Sequence, residues 1–150
     1  MTPLVVMVAP NGARRTKADH ANLPITPAEI AREAALCADA GATVLHVHVR
    51  DRDGRHSLDA GHYRATLRAV RETLGERIVV QITTEAVGRY RPAEQMDMVR
   101  ELYPEAVSLA LAELIPDDDA IDDAAAFLDW LRQERIAPDR RRLWIGRAHV

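Results

Sequence analysis

Residues 43–51 read Thr-Val-Leu-His-Val-His-Val-Arg-Asp, and within this stretch His46 and His48 are the side chains best suited to chemistry. Successive residues of a strand point to opposite faces. Val44, His46, His48 and Arg50 therefore share one side, and Leu45, Val47 and Val49 share the other. The apolar side suits packing on helices, whereas the histidine side has to meet something polar. Neutral imidazole is a common zinc ligand, and two rings at i and i+2 can reach the same ion. Two ligands do not complete a tight site. The competing reading buries both histidines for structural reasons, satisfied by backbone carbonyls or carboxylates. Spacing alone leaves the two readings level.

Other candidates lie near the ends of strand-like runs. Arg14, Arg15 and Lys17 follow the first run in a basic loop, where guanidinium forks suit a carboxylate or phosphate, although a charged loop can equally be plain solvated surface. Gln81, Thr83 and Glu85 alternate on one face of a later strand, and Ser108 sits on a fourth strand that ends close to Glu113. His56 and His62 read as solvated surface histidines. Asp117, Asp118 and Asp119 open a helix that Arg132 and Arg135 close, a charge order that the helix dipole explains without a metal. Cys37 is the single cysteine and falls in an apolar helical pattern, so it reads as a small core residue. Met96 and Met98 read as packing residues, and His149 is terminal.

The elements that must hold these groups alternate along the chain. Leu4–Ala9 is a continuous apolar run between Pro3 and Pro10, the pattern of a strand buried on both faces. Thr26-Pro-Ala-Glu29 is a capping box with proline at the first helical position, and the helix it starts stops at Gly41. The histidine strand follows, then a polar connection bent at Asp53-Gly54, and a helix from Asp59 to Leu74 with Tyr63, Leu67, Val70 and Leu74 on one stripe. A strand from Ile78 to Thr84, a helix from Pro92 to Leu102 and a strand from Ala106 to Leu111 come next. The helix after Asp117 has Ile121, Ala125, Leu128 and Leu131 as its expected buried stripe, flanked by Phe127 and Trp130. The apolar run at 143–146 is where a fifth strand could begin. Four strand-helix repeats of this length imply a parallel sheet with right-handed crossovers, either a small doubly wound sheet or the first half of an eight-unit barrel. Polar residues at the carboxyl ends of successive strands favour the barrel, whose mouth gathers them.

Composition bounds the rest. A chain of 150 residues, 47% hydrophobic and 29% charged, fits one globular domain with a real core. Its net charge of -3 gives no long-range attraction to nucleic acid or anionic lipid, and Arg140–Arg142 lack interleaved aromatics. No apolar run approaches a membrane span and no signal peptide is evident, so a cytoplasmic protein without nucleic-acid or membrane partners is expected.

Taken together, APNGARRTKADH, LPITPAEIA, GATVLHVHVRDRDGRHSLD, QITTEAVGRY and VSLALAELIPD resemble the beta-keto acid cleavage enzyme family. The resemblance runs in register over residues 1–136 and leaves 137–150 as a divergent tail of a single partial domain, 1–150. It implies an α/β fold of the (β/α)8 TIM-barrel type, with this chain covering about the first four β/α units. It also implies an acyltransferase of amino acid catabolism that binds one zinc ion. Such an enzyme exchanges groups between a beta-keto acid and acetyl-CoA, giving acetoacetate and a new acyl-CoA. On that likeness His46 and His48 are zinc ligands, Thr83 supplies a hydroxyl to the substrate, and Arg14 is a substrate contact, with Glu85 and Ser108 completing the substrate-facing set. Arg14 replaces a glutamate that meets an amino group in a lysine-fermenting member, so the expected substrate lacks that ammonium and bears an extra anionic group. The family's third zinc ligand, its acid-base carboxylate and its arginine belong to the last barrel strands, which these residues do not reach. The expectation is therefore a truncated, inactive, homo-oligomeric form. The alternatives are a metal-free fragment, inert or self-associating, and another metal-dependent lyase or isomerase on the same barrel.

Overall fold

The computed structural model describes residues 4–141. Its main sheet has five parallel strands: β1 (Met7–Val8), β2 (Val44–Val47), β5 (Val79–Thr83), β6 (Ala106–Ala110) and β7 (Ala137–Arg141), adjacent in that order. Between β2 and β5 lies a two-stranded antiparallel hairpin, β3 (Val49–Arg50) and β4 (His56–Ser57). The helices are α1 (Pro27–Asp39), α2 (Ala60–Leu74), α3 (Pro92–Leu102), the short α4 (Leu111–Leu114) and α5 (Ile121–Gln133), the last entered through a 3-10 turn at Asp118–Ala120. Each main-sheet strand lies beside the one before it. A doubly wound sheet reverses strand order at a switch point, and this sheet never does, so it is wound as the first part of a (β/α)8 barrel.

Local sequence accounts for most boundaries. Thr26 Oγ1 accepts from the Glu29 amide while Glu29 Oε2 accepts from the Thr26 amide, the capping box that starts α1 at Pro27. Asp59 caps α2 through the His62 amide, and Gly75 ends it at φ 56°, a backbone region that costs glycine little. Pairing register sorts the side chains into rows. Leu45 lies opposite Val80, and Val47 and Val107 both lie opposite Ile82. These pack with Ile30, Tyr63, Val70, Val99, Phe127 and Leu131 of the helices in one buried cluster. On the other face His46 lies opposite Gln81, and Thr83 opposite Ser108. All four are buried, so the strands present a polar row toward the barrel interior.

Four expectations are corrected. The first strand is not buried on both faces: Leu4 is 84% exposed and Val5 65%, because β1 is the sheet edge and no described element covers its outer side. The histidine stretch is two strands, interrupted at His48, where the chain leaves the main sheet for the hairpin. The buried stripe of α5 is Ala124, Phe127 and Leu131; Ile121 is 46% exposed and Ala125 is also exposed. The fifth strand begins at Ala137, while the apolar run at 143–146, Arg142 and His149 lie outside the described residues. Among the described residues no helix is long and apolar enough to cross a membrane.

Candidate functional site

The two histidines converge. His46 Nε2 and His48 Nε2 are 3.1 Å apart, with ring centroids separated by 4.9 Å and the planes at 74°. Both side chains are nearly inaccessible. Each ring is oriented from behind. Gln81, the cross-strand neighbour of His46, places Oε1 2.6 Å from His46 Nδ1. Because that oxygen can only accept, Nδ1 carries the proton and Nε2 presents its lone pair. Behind His48, Glu85 Oε2 lies 3.6 Å from Nδ1, beyond hydrogen-bond distance, and brings a carboxylate charge close to the ring. Asn11 fixes the backbone at this point, donating from Nδ2 to the His48 carbonyl at 2.7 Å and accepting from the His48 amide at 3.2 Å. That pair of bonds stands in for the ladder partners lost where β2 ends.

These distances suit a cation. Two nitrogens of a tetrahedral zinc site, each about 2.0–2.1 Å from the ion, sit roughly 3.3 Å apart. The observed separation falls close to that, and the oxygen behind His46 is the kind of acceptor that orients a metal-bound imidazole. Among the described residues no group of three His, Cys, Asp or Glu side chains is arranged to hold a metal ion, and His46 and His48 by themselves would be two of the four donors of a tetrahedral site.

Around the pair, Thr83 and Ser108 occupy adjacent strands one rung above Gln81. Thr83 Oγ1 accepts from the Glu85 amide at 3.2 Å, which leaves its hydroxyl proton to donate. Tyr63, fully buried, donates its hydroxyl to the Thr83 carbonyl at 2.8 Å and so fixes the strand end; burial raises its pKa. Glu85 is partly exposed and stands beside His48. Arg14 is exposed in the loop after β1 and lines a cavity of about 360 Å³ whose wall includes His56 but neither His46 nor His48.

His56 corrects a further expectation. Far from being solvated, it is 3% exposed, with its ring 5.2 Å from that of His48 and Nε2 donating to the Glu85 carbonyl at 2.9 Å. Burial, assisted by Arg50 and Arg89, lowers its pKa to about 4, so it is neutral at physiological pH. His62 is exposed, as expected. Arg50 ties the site's loops together, donating to the Gly12 carbonyl at 2.6 Å and to the Arg15 and Gly54 carbonyls at 3.0 Å. The roles of Asn11 and Arg50 had a faint sequence signal, since both are polar residues at strand ends in a core-like context. That of Gln81 was legible only as membership of a polar face.

A model of the beta-keto acid cleavage enzyme family matches residues 3–141. The chain belongs to that family. It is 36% identical over 114 residues to the 3-keto-5-aminohexanoate cleavage enzyme of Fusobacterium nucleatum, covering 73% of this chain and 39% of that enzyme. It is 38% identical over 88 residues to the enzyme of the same name from Acetoanaerobium sticklandii, 59% of this chain and 32% of that one. With the 3-oxoadipate:acetyl-CoA acetyltransferase of Cupriavidus necator it shares 28% identity over 135 residues, 90% of this chain and 46% of that enzyme. The chain thus spans less than half the length of these relatives. Among solved structures, the ternary complex of ObcA with a C4-CoA adduct and oxalate superposes with a TM-score of 0.61 at 20% identity, over 79% of this chain and 31% of that one. That likeness supports the barrel fold.

Proposed function

We propose that this chain carries the metal-binding part of an enzyme that cleaves a beta-keto acid with acetyl-CoA as co-substrate, releasing acetoacetate and a new acyl-CoA. Family membership and the names of the relatives support the reaction class. The observation that carries the reading is the pair of Nε2 atoms 3.1 Å apart, with a carboxamide or carboxylate oxygen behind each ring.

His46 and His48 would hold zinc, which when bound there polarises the keto oxygen as a Lewis acid. Thr83 donates its hydroxyl proton to a substrate oxygen, a donor that needs no rearrangement because its acceptor side is already occupied by the Glu85 amide. Ser108, buried on the neighbouring strand, lines the same face. Glu85 places a carboxylate 3.6 Å from His48 Nδ1, where its charge would favour a metal-bound imidazole, and borders the substrate. Arg14 contributes charge for the acid's carboxylate from the loop above.

Equilibrium dialysis against zinc at neutral pH, followed by elemental analysis, tests this. One zinc per folded chain, abolished in H46Q/H48Q with the fold retained, is the expected result. Folded wild-type chain free of zinc would instead leave the metal-free reading of the histidines standing.

A further inference from the structure

We propose that Gln95 and Glu113 are positioning residues: they clamp the turn at 84–86 and so aim the Glu85 carboxylate at His48. The inference rests on the histidine pair being the metal site, and it names residues beyond that pair and its immediate neighbours on which the site depends.

The turn leaves the carboxyl end of β5, and its main chain is held from outside. Tyr63 of α2 donates to the Thr83 carbonyl at 2.8 Å, and Gln95 of α3 donates to the Thr84 carbonyl at 2.6 Å. His56 of β4 donates to the Glu85 carbonyl at 2.9 Å, and Glu113 of α4 accepts from the Ala86 amide at 3.0 Å. The Thr84 amide reaches the Ser108 carbonyl on β6 at 3.1 Å. Turns commonly satisfy such groups with water or with their own short side chains. Here four separate elements each supply one side chain to one residue of the turn. Of residues 83–86 only Glu85 is partly exposed. Its carboxylate is what the clamped turn presents, 3.6 Å from His48 Nδ1.

Gln95 shows that the clamp is more than packing. It is fully buried in the first turn of α3, on a face otherwise made by Met96, Met98 and Val99, and side chains there lean back toward the strand ends. Both hydrogens of its Nε2 are used, one on the Thr84 carbonyl and one on Glu113 Oε2 at 3.2 Å. Those two acceptors fix the amide's orientation, and Oε1 is left buried with no hydrogen-bond partner among the described residues. A buried oxygen without a donor is destabilising, and a leucine would fill the same space without it. The glutamine therefore trades stability for a link between Thr84 and Glu113. Glu113 in turn joins that amide to Ala86 through a single carboxylate oxygen, so the two residues close on either side of Glu85.

The test is a double-mutant cycle of Q95L with E85Q, read in two ways. In metal-free protein, the ring-nitrogen NMR signals of His48 should shift in E85Q, shift in the same direction in Q95L, and move no further in Q95L/E85Q. With zinc, competition against a chromophoric chelator should show Q95L and E85Q each binding roughly fivefold more weakly than wild type, with the double variant no weaker than E85Q; the expected loss is below the about 10–100-fold typical of a hydrogen-bonded outer partner. A loss of packing alone would add to E85Q instead of vanishing in it. If Q95L loses its cooperative melt, E113A, altered at a half-buried position, takes its place in the cycle with the same expectations. Wild-type His48 signals and wild-type zinc affinity in Q95L, or effects that add to those of E85Q, overturn the positioning role and leave the metal site standing. A wild-type chain that takes up no zinc, yet shows the His48 shift in Q95L and its disappearance in the E85Q background, upholds the clamp and sinks the metal.

Discussion

Replacing Gln81 by Leu removes the oxygen that fixes the His46 tautomer while nearly preserving volume. In wild type the 2.6 Å contact from His46 Nδ1 to Gln81 Oε1 keeps the proton away from Nε2. Without it the proton can move to Nε2 and lie between the two rings, whose nitrogens are already at hydrogen-bond distance. Zinc must then displace that proton. Losing such an outer partner typically costs about 10–100-fold in metal affinity, or about 1.4–2.7 kcal/mol. At a zinc concentration 100 times the wild-type Kd, the metal stabilises wild type by about 2.7 kcal/mol, and the variant by only about 0.4–1.4 kcal/mol at the same concentration. For a chain of this size that is a zinc-induced rise in Tm of roughly 5–11 °C, reduced to about 1–6 °C. Differential scanning calorimetry of both proteins, with and without zinc, reads the difference directly. A full wild-type zinc shift in Q81L would refute the tautomer argument, and no shift in either protein would refute metal binding by the pair.

Three further outcomes follow from the same geometry. His56 has its pKa lowered to about 4 by burial, so between its unfolded value near 6.5 and about 4 the unfolded chain binds the extra proton. Stability from this residue is therefore complete above about pH 6.5 and is lost as pH falls toward 4, on the order of 3 kcal/mol in all, and urea midpoints across that range should flatten in H56Q. Tyr63→Phe removes the donor to the buried Thr83 carbonyl and should cost about 1–3 kcal/mol by urea denaturation; a change within error would mean that the carbonyl finds another donor. Thr26→Ala breaks the capping box of α1 and should cost about 1 kcal/mol, which equilibrium denaturation at unchanged m-value would detect.

What the sequence disclosed and what it hid divide along local and non-local physics. The capping box at Thr26 and the terminal glycine at Gly75 are local devices, and both ends fall where the residues demand. The His46/His48 pair was legible because strand periodicity alone puts the rings on one side. The partner behind His46 was not, since Gln81 reaches it only through the register of β2 on β5, a 35-residue separation. The break at His48 was hidden for a related reason: Val49 and Arg50 continue the alternating pattern while pairing with Ser57 and His56 instead. That hairpin, closed around Asp53-Gly54, turns a histidine from a polar loop inward. The apolar run before Pro10 reads as core although its outer side is an edge, because composition cannot say what lies alongside. In α5 the helix begins later than the acidic run suggests, and Ala124 and Phe127 take the inward places expected of Ala125 and Leu128 while Leu131 stays.

The cross-strand contact between His46 and Gln81 would make a zinc ion held by the pair a reporter on assembly. Neither ring is aimed until β5 has docked alongside β2, so a zinc-responsive dye present during refolding should stay silent through helix formation and respond only when those two strands have found each other. Its time course would time the docking of β5 on β2, from a single optical signal and without labelling the protein.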